Sequence, residues 1–223
     1  MELLKNKFMV KDKYLSMFFN ALDNVKGKYL IYENDSDKEE YIEHVERVFA
    51  YELYRQWANL LENDEEYELH AEIGKSGTHC MEGYKGYDED NAWKKYMGDK
   101  ASIYPDMVLH SGQGTLEHKI VCEIKRNKGV NSNNMMADLK KLMFMTGDNF
   151  CSNKPYEYGI FLLFDATFKK VVDSLDINDI KALEHENKFE KIILVSYGFL
   201  DRENHKDLKI EFETLANLCN QGL

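Results

Sequence analysis

Apolar and polar positions alternate with two different periods along this chain, and the switch between them marks the elements. From residue 36 to 63 the apolar positions recur at helical spacing behind Ser36, with acidic residues in the first turn. Serine caps a helix start and acidic side chains favour its positive end, so this segment predicts a long helix. Its stripe runs through Ile42, Val45, Phe49 and Leu60, flanked by Val48 and Leu53. Residues 66–73 alternate with period two and predict a strand. Residues 106–110 and 118–126 predict two more, joined by the turn-rich 111–117. Residues 132–145 return to helical spacing, with Met135, Met136, Leu139, Leu142 and Met143 on one face. Residues 156–165 form a nearly continuous apolar run, as expected of a strand buried on both faces. Strand patterns at 191–197 and 208–212 and a short apolar piece at 214–220 follow a polar helical stretch. Upstream, 12–25 has helical spacing and 28–33 reads as a short strand or extended piece.

The order helix, three strands, helix, strand predicts an α/β domain with a mixed central sheet flanked by helices. Residues 37–165 form the expected core. Residues 74–103 hold five glycines and many polar side chains, and read as a long loop insertion with a short helix near Trp93. Residues 166–223 are expected as C-terminal additions packing on the core, within one domain over 1–223.

Composition changes this picture little. At 43% hydrophobic and 13% aromatic residues the chain is globular in composition. The four cysteines, Cys80, Cys122, Cys151 and Cys219, are widely spaced and suit reduced thiols, so a cytoplasmic location is expected. No apolar run approaches the length of a membrane helix. The formal net charge of −11 excludes a uniformly basic nucleic-acid coat. A local basic field remains open, and Lys125, Arg126 and Lys128, with Lys140 and Lys141 on the next helix, are the candidates to supply it.

Chemistry concentrates between residues 104 and 126. In the second strand of the expected hairpin, Ile120, Cys122 and Ile124 share one face while Val121, Glu123 and Lys125 share the other, with Glu123 and Lys125 about 7 Å apart. Antiparallel pairing brings the start of the first strand, Asp106, beside them. Two close carboxylates repel unless one is protonated or a cation lies between them. A few oxygen ligands suit Mg²⁺ or Mn²⁺, and a neighbouring lysine can orient a water or stabilise negative charge. The competing reading is a solvated strand face with a cross-strand ion pair. His70, His79 and Cys80 lack the spacing of a zinc site and read as loop or strand residues.

The segment resembles the PD-(D/E)xK nuclease superfamily, the restriction-endonuclease-like fold. The motif is Pro105-Asp106, sixteen intervening residues, then Glu123-Ile124-Lys125. The resemblance covers residues 37–165 and implies a core of order α-β-β-β-α-β. It implies that Asp106, Glu123 and the Ile124 main-chain carbonyl bind the metal and that Lys125 positions the attacking water. The expected activity is Mg²⁺- or Mn²⁺-dependent hydrolysis of phosphodiester bonds, with DNA as partner, in a homodimer or a larger assembly. The alternative is a non-catalytic nucleic-acid-binding or protein-interaction module on the same fold. The family often adds a glutamate from the first helix. Glu52 lies inside the apolar stripe, where a carboxylate needs a cation or a partner, and is the expected catalytic and metal-binding residue. Glu46, at the edge of the stripe, is second, and pairing of Glu52 with Arg55 is the competing explanation. Lys141 is a further residue that this fold can bring near the metal.

Overall fold

In the computed structural model, residues 12–30, 39–71, 105–111, 117–129, 131–147, 154–173, 175, 180, 189–201 and 206–220 are described. The expected insertion at 74–103, with His79, Cys80 and Trp93, lies outside them, as do Cys151 and the tip of the turn at 112–116.

Among the described residues, five helices and six strands follow in chain order: α1 (Lys13–Asp23), α2 (Glu39–Leu60), β1 (Tyr67–Ala71), β2 (Met107–Ser111), β3 (His118–Arg126), α3 (Ser132–Thr146), β4 (Tyr158–Phe164), α4 (Phe168–Asp173), β5 (Ile192–Asp201), β6 (Lys206–Thr214) and α5 (Leu215–Asn220). The strands form one open mixed sheet in the order β1-β2-β3-β4-β5-β6. β1, β2 and β3 pair antiparallel, β3, β4 and β5 pair parallel, and β6 returns antiparallel to β5.

The period-two alternation sorts side chains onto two helical layers. Met107, Leu109, Ile120, Cys122, Ile124, Ile160, Leu162 and Phe164 meet α1 and α2. Val108, Val121, Phe161, Leu163, Ile192 and Leu194 meet α3, α4 and α5. Helix starts are fixed locally: Asp12 accepts the N–H groups of Tyr14 and Leu15, and Asn131 accepts that of Asn134. All five apolar positions of the expected stripe on α3 are buried.

Two expectations change and a third becomes more specific. Residues 28 and 29 of the supposed extended piece belong to a 3₁₀ turn, Gly27–Tyr29, and 31–33 lie outside the described residues. On α2 the buried line is Val45, Phe49, Leu53 and Trp57, while Leu60 is exposed. This is an i, i+4 ridge, which packs into the groove of an adjoining surface. The C-terminal strands extend the sheet itself: β5 is hydrogen-bonded in register to β4, and β6 to β5.

Candidate active site

The register Met107↔Cys122 puts Asp106 one step beyond Met107, alongside the end of β3. Its Oδ2 accepts the N–H of Ile124 at 2.6 Å. Glu123 follows Cys122 on the opposite face of β3, the face that α3 covers, and is 1% exposed. Lys125 shares that face and is half-buried. Asp106, Glu123 and Lys125 therefore meet at the carboxyl ends of the parallel strands, where open α/β sheets form their ligand crevices.

α3 contributes two charges that patterning assigns to a wet helix face. Lys141 Nζ donates to Glu123 Oε2 at 2.7 Å and lies 3.2 Å from Asp138 Oδ1. Asp138 Oδ2 is in turn 3.7 Å from Lys125 Nζ. The result is a chain of alternating charges, Glu123–Lys141–Asp138–Lys125. One end of it is incomplete: Glu123 Oε1 is buried without a hydrogen-bond partner among the described residues.

Glu52 is not part of this group. It is 6% exposed, but its Oε1 accepts from Arg55 Nη2 and Gln56 Nε2, both at 2.7 Å, and its Oε2 from Arg55 Nε at 2.9 Å. These bonds, led by the Arg55 fork, hold its pKa down to about 2. The contacts of Glu52 are those of the competing explanation: a carboxylate on the buried stripe pairs with a cation one turn away on its own helix. Among the described residues, Glu46 is the α2 carboxylate that reaches the site. Its Oε1 accepts the N–H of Arg126 at 2.8 Å, and it lines a cleft of about 180 Å³ with Arg47, Ala50, Tyr51, Ala71, Asp106 and Ile124.

Electrostatics follow from burial. Burial raises the pKa of Asp106 against the opposing Ile124 N–H, Lys125 and Lys141. Burial, then the neighbouring Asp106 charge, pushes Glu123 well up, with Lys141 opposing. Glu46 is also raised, by burial first, against the Arg126 N–H bond and Lys125. Burial works against both ammonium groups, yet the surrounding carboxylates outweigh it and raise Lys125 and Lys141. Lys125 therefore stays protonated at neutral pH and can donate but not abstract a proton.

The donor set is hard oxygen, which suits Mg²⁺ or Mn²⁺, and the partnerless Glu123 Oε1 is the kind of atom a cation would satisfy. Among the described residues, however, no three His, Cys, Asp or Glu side chains are grouped to hold an ion as they stand. N–H and ammonium donors engage the carboxylates instead. The expected basic patch is also smaller than the sequence suggests. Arg126 is 2% exposed and 3.6 Å from Asp165, and Lys141 is committed to Glu123. No helix among the described residues is long and apolar enough to cross a membrane.

Compared with known proteins, the chain matches no family model, no curated protein and no solved structure.

Proposed function

We propose that this chain is a metal-dependent nuclease with a restriction-endonuclease-like core, and that its substrate is DNA. The observation that carries the reading is the buried Glu123 carboxylate beside Asp106 and Lys125, one of its oxygens partnerless, at the carboxyl ends of parallel strands. The order of α2, β1, β2, β3, α3 and β4 supports it, because it is the core order that the resemblance implies.

In this reading Asp106, Glu123 and the Ile124 carbonyl hold Mg²⁺ or Mn²⁺, and Glu46 takes the role first expected of Glu52. When bound, the ion would polarise the phosphate and lower the pKa of a bound water. Lys125, held protonated by the carboxylates around it, orients the attacking water and stabilises developing negative charge. α3, which covers the Glu123 face of β3, keeps bulk water from that carboxylate.

A second reading, a non-catalytic binding module, is favoured by one contact. Lys141 already stands against Glu123 at 2.7 Å, so Glu123 has a counter-charge without a metal.

Incubation with plasmid and single-stranded DNA in Mg²⁺ or Mn²⁺, against an EDTA control, separates the two. Cleavage that EDTA stops is expected of the wild type and is lost in Asp106→Ala and Lys125→Ala. Both variants cutting at wild-type rate would mean that the site lies elsewhere. No cleavage of either DNA by the wild type would favour the binding module.

A further inference from the structure

Glu123 is the most buried carboxylate of the cluster, and its two oxygens are treated differently. Oε2 receives the Lys141 ammonium at 2.7 Å, while Oε1 has no partner among the described residues. Lys141 is itself shared, lying 3.2 Å from Asp138 Oδ1. A buried carboxylate without a counter-charge costs several kcal/mol, so without metal Glu123 stays ionised in the fold only with a cation beside it. Lys141 is that cation. Its ammonium is also tethered so that it can leave Glu123 without losing every partner, because Asp138 sits one helical turn before it on α3 and points to the same place.

We propose that Lys141 is a built-in counter-cation that competes with the divalent metal for Glu123, and so sets the metal affinity of the site. The ammonium sits on Oε2 and a metal would enter at the partnerless Oε1, so two cations would share one carboxylate and repel each other. Metal entry therefore weakens the Lys141–Glu123 contact, with Asp138 retaining the ammonium. Lys141 is a positioning residue that acts through Glu123. The inference rests on the reading of Asp106 and Glu123 as metal-binding residues.

Titration of the purified full-length protein with Mn²⁺, followed by calorimetry, tests it. Lys141→Met should bind Mn²⁺ about ten-fold more tightly than wild type, the scale of one charge-assisted hydrogen bond. Lys140→Met removes the same charge from the neighbouring position on α3 and should leave the affinity within about two-fold. Equal affinities for wild type and Lys141→Met, or a gain in Lys140→Met as large as that in Lys141→Met, would overturn the competition while leaving the metal site standing. No Mn²⁺ binding by either wild type or Lys141→Met would overturn both the inference and the metal-site reading.

Because Lys141→Met leaves Glu123 without its counter-cation, the wild type supplies a second measurement that does not depend on how that variant folds. A ¹⁵N-labelled Lys141 ammonium, assigned by its loss in Lys141→Arg, should shift or vanish on saturation with diamagnetic Mg²⁺. A resonance unmoved at saturating Mg²⁺ would overturn the proposal.

Discussion

Glu46 and Glu52 are six residues apart on one helix, which at 3.6 residues per turn separates them by about 120°. That rotation decides their chemistry. Glu52 points to the Gly27–Tyr29 turn and is closed off by Arg55 and Gln56. Glu46 points to the end of β3, where it meets the Arg126 N–H and the fields of Lys125 and Asp106. Glu52→Gln should therefore leave cleavage and metal affinity within about two-fold, while Glu46→Gln lowers cleavage about ten-fold or more, the scale of a positioned acid-base or metal-bound group. Paired kinetic assays check this, and the reverse pattern would return the role to Glu52. The pH dependence has a definite sign. Because the folded pKa of Glu52 is held at about 2, below the ordinary glutamate value, its pair stabilises the fold above that ordinary value and the contribution is lost as pH falls towards 2. Urea midpoints at pH 6 and pH 3 should thus differ less in Glu52→Gln than in wild type. An equal acid loss in both would show that the Arg55 pair contributes nothing to acid stability.

Among the elements, α3 is the one whose placement matters most to the site, since it carries Asp138 and Lys141 over β3. Its distance from the sheet is fixed at Gly159 on β4. A Cβ there would lie 2.9 Å from Ile192 Cδ1, 3.1 Å from Thr146 Cγ2 and 3.4 Å from Leu142 Cβ. The isoleucine tip can move, but Thr146 and Leu142 belong to α3 and yield only if the helix shifts. Gly159→Ala should cost about 1–3 kcal/mol, as overpacking does, and lower the thermal midpoint by several degrees. An unchanged midpoint would mean that α3 has room to move. Elements of this kind were largely legible in the sequence, because alternation and helical stripes are local signals: the residues of β3 and the buried face of α3 follow from them directly. What a stripe does not encode is its neighbour. It marked Glu52 as buried but not what lay against it, and it missed Trp57 because the i, i+4 ridge drifts around the helix. Asp138 and Lys141 lie off the apolar stripe and read as solvated, since their partner, Glu123, is distant in sequence. The place of β5 and β6 in the sheet was hidden for the same reason: strand pattern is local, and strand pairing is not.

Over the whole molecule the charge is −11, and any nucleic acid must approach against that field. Among the described residues, positive charge near the candidate site is limited, because Arg126 and Lys141 are turned inward to Asp165 and Glu123. Lys125 is half-buried, and of the outward groups Arg47 lines the cleft and Lys128 follows β3. Each phosphate contact releases condensed counterions, and log K falls with log salt by about 0.9 per contact on duplex DNA. Two or three contacts from these residues give a slope of about −2 to −3, a loss of roughly ten- to forty-fold between 50 and 200 mM salt. A strongly basic binder with six or more contacts would lose about a thousand-fold or more over the same range. Fluorescence anisotropy of a labelled duplex in EDTA, where cleavage is silent, measures the slope. Arg47→Ala should reduce it by about one unit if the cleft-side arginine meets a phosphate. A slope steeper than about −5 would place the nucleic-acid surface away from this cleft, and no salt dependence at all would point to a protein or small-molecule partner.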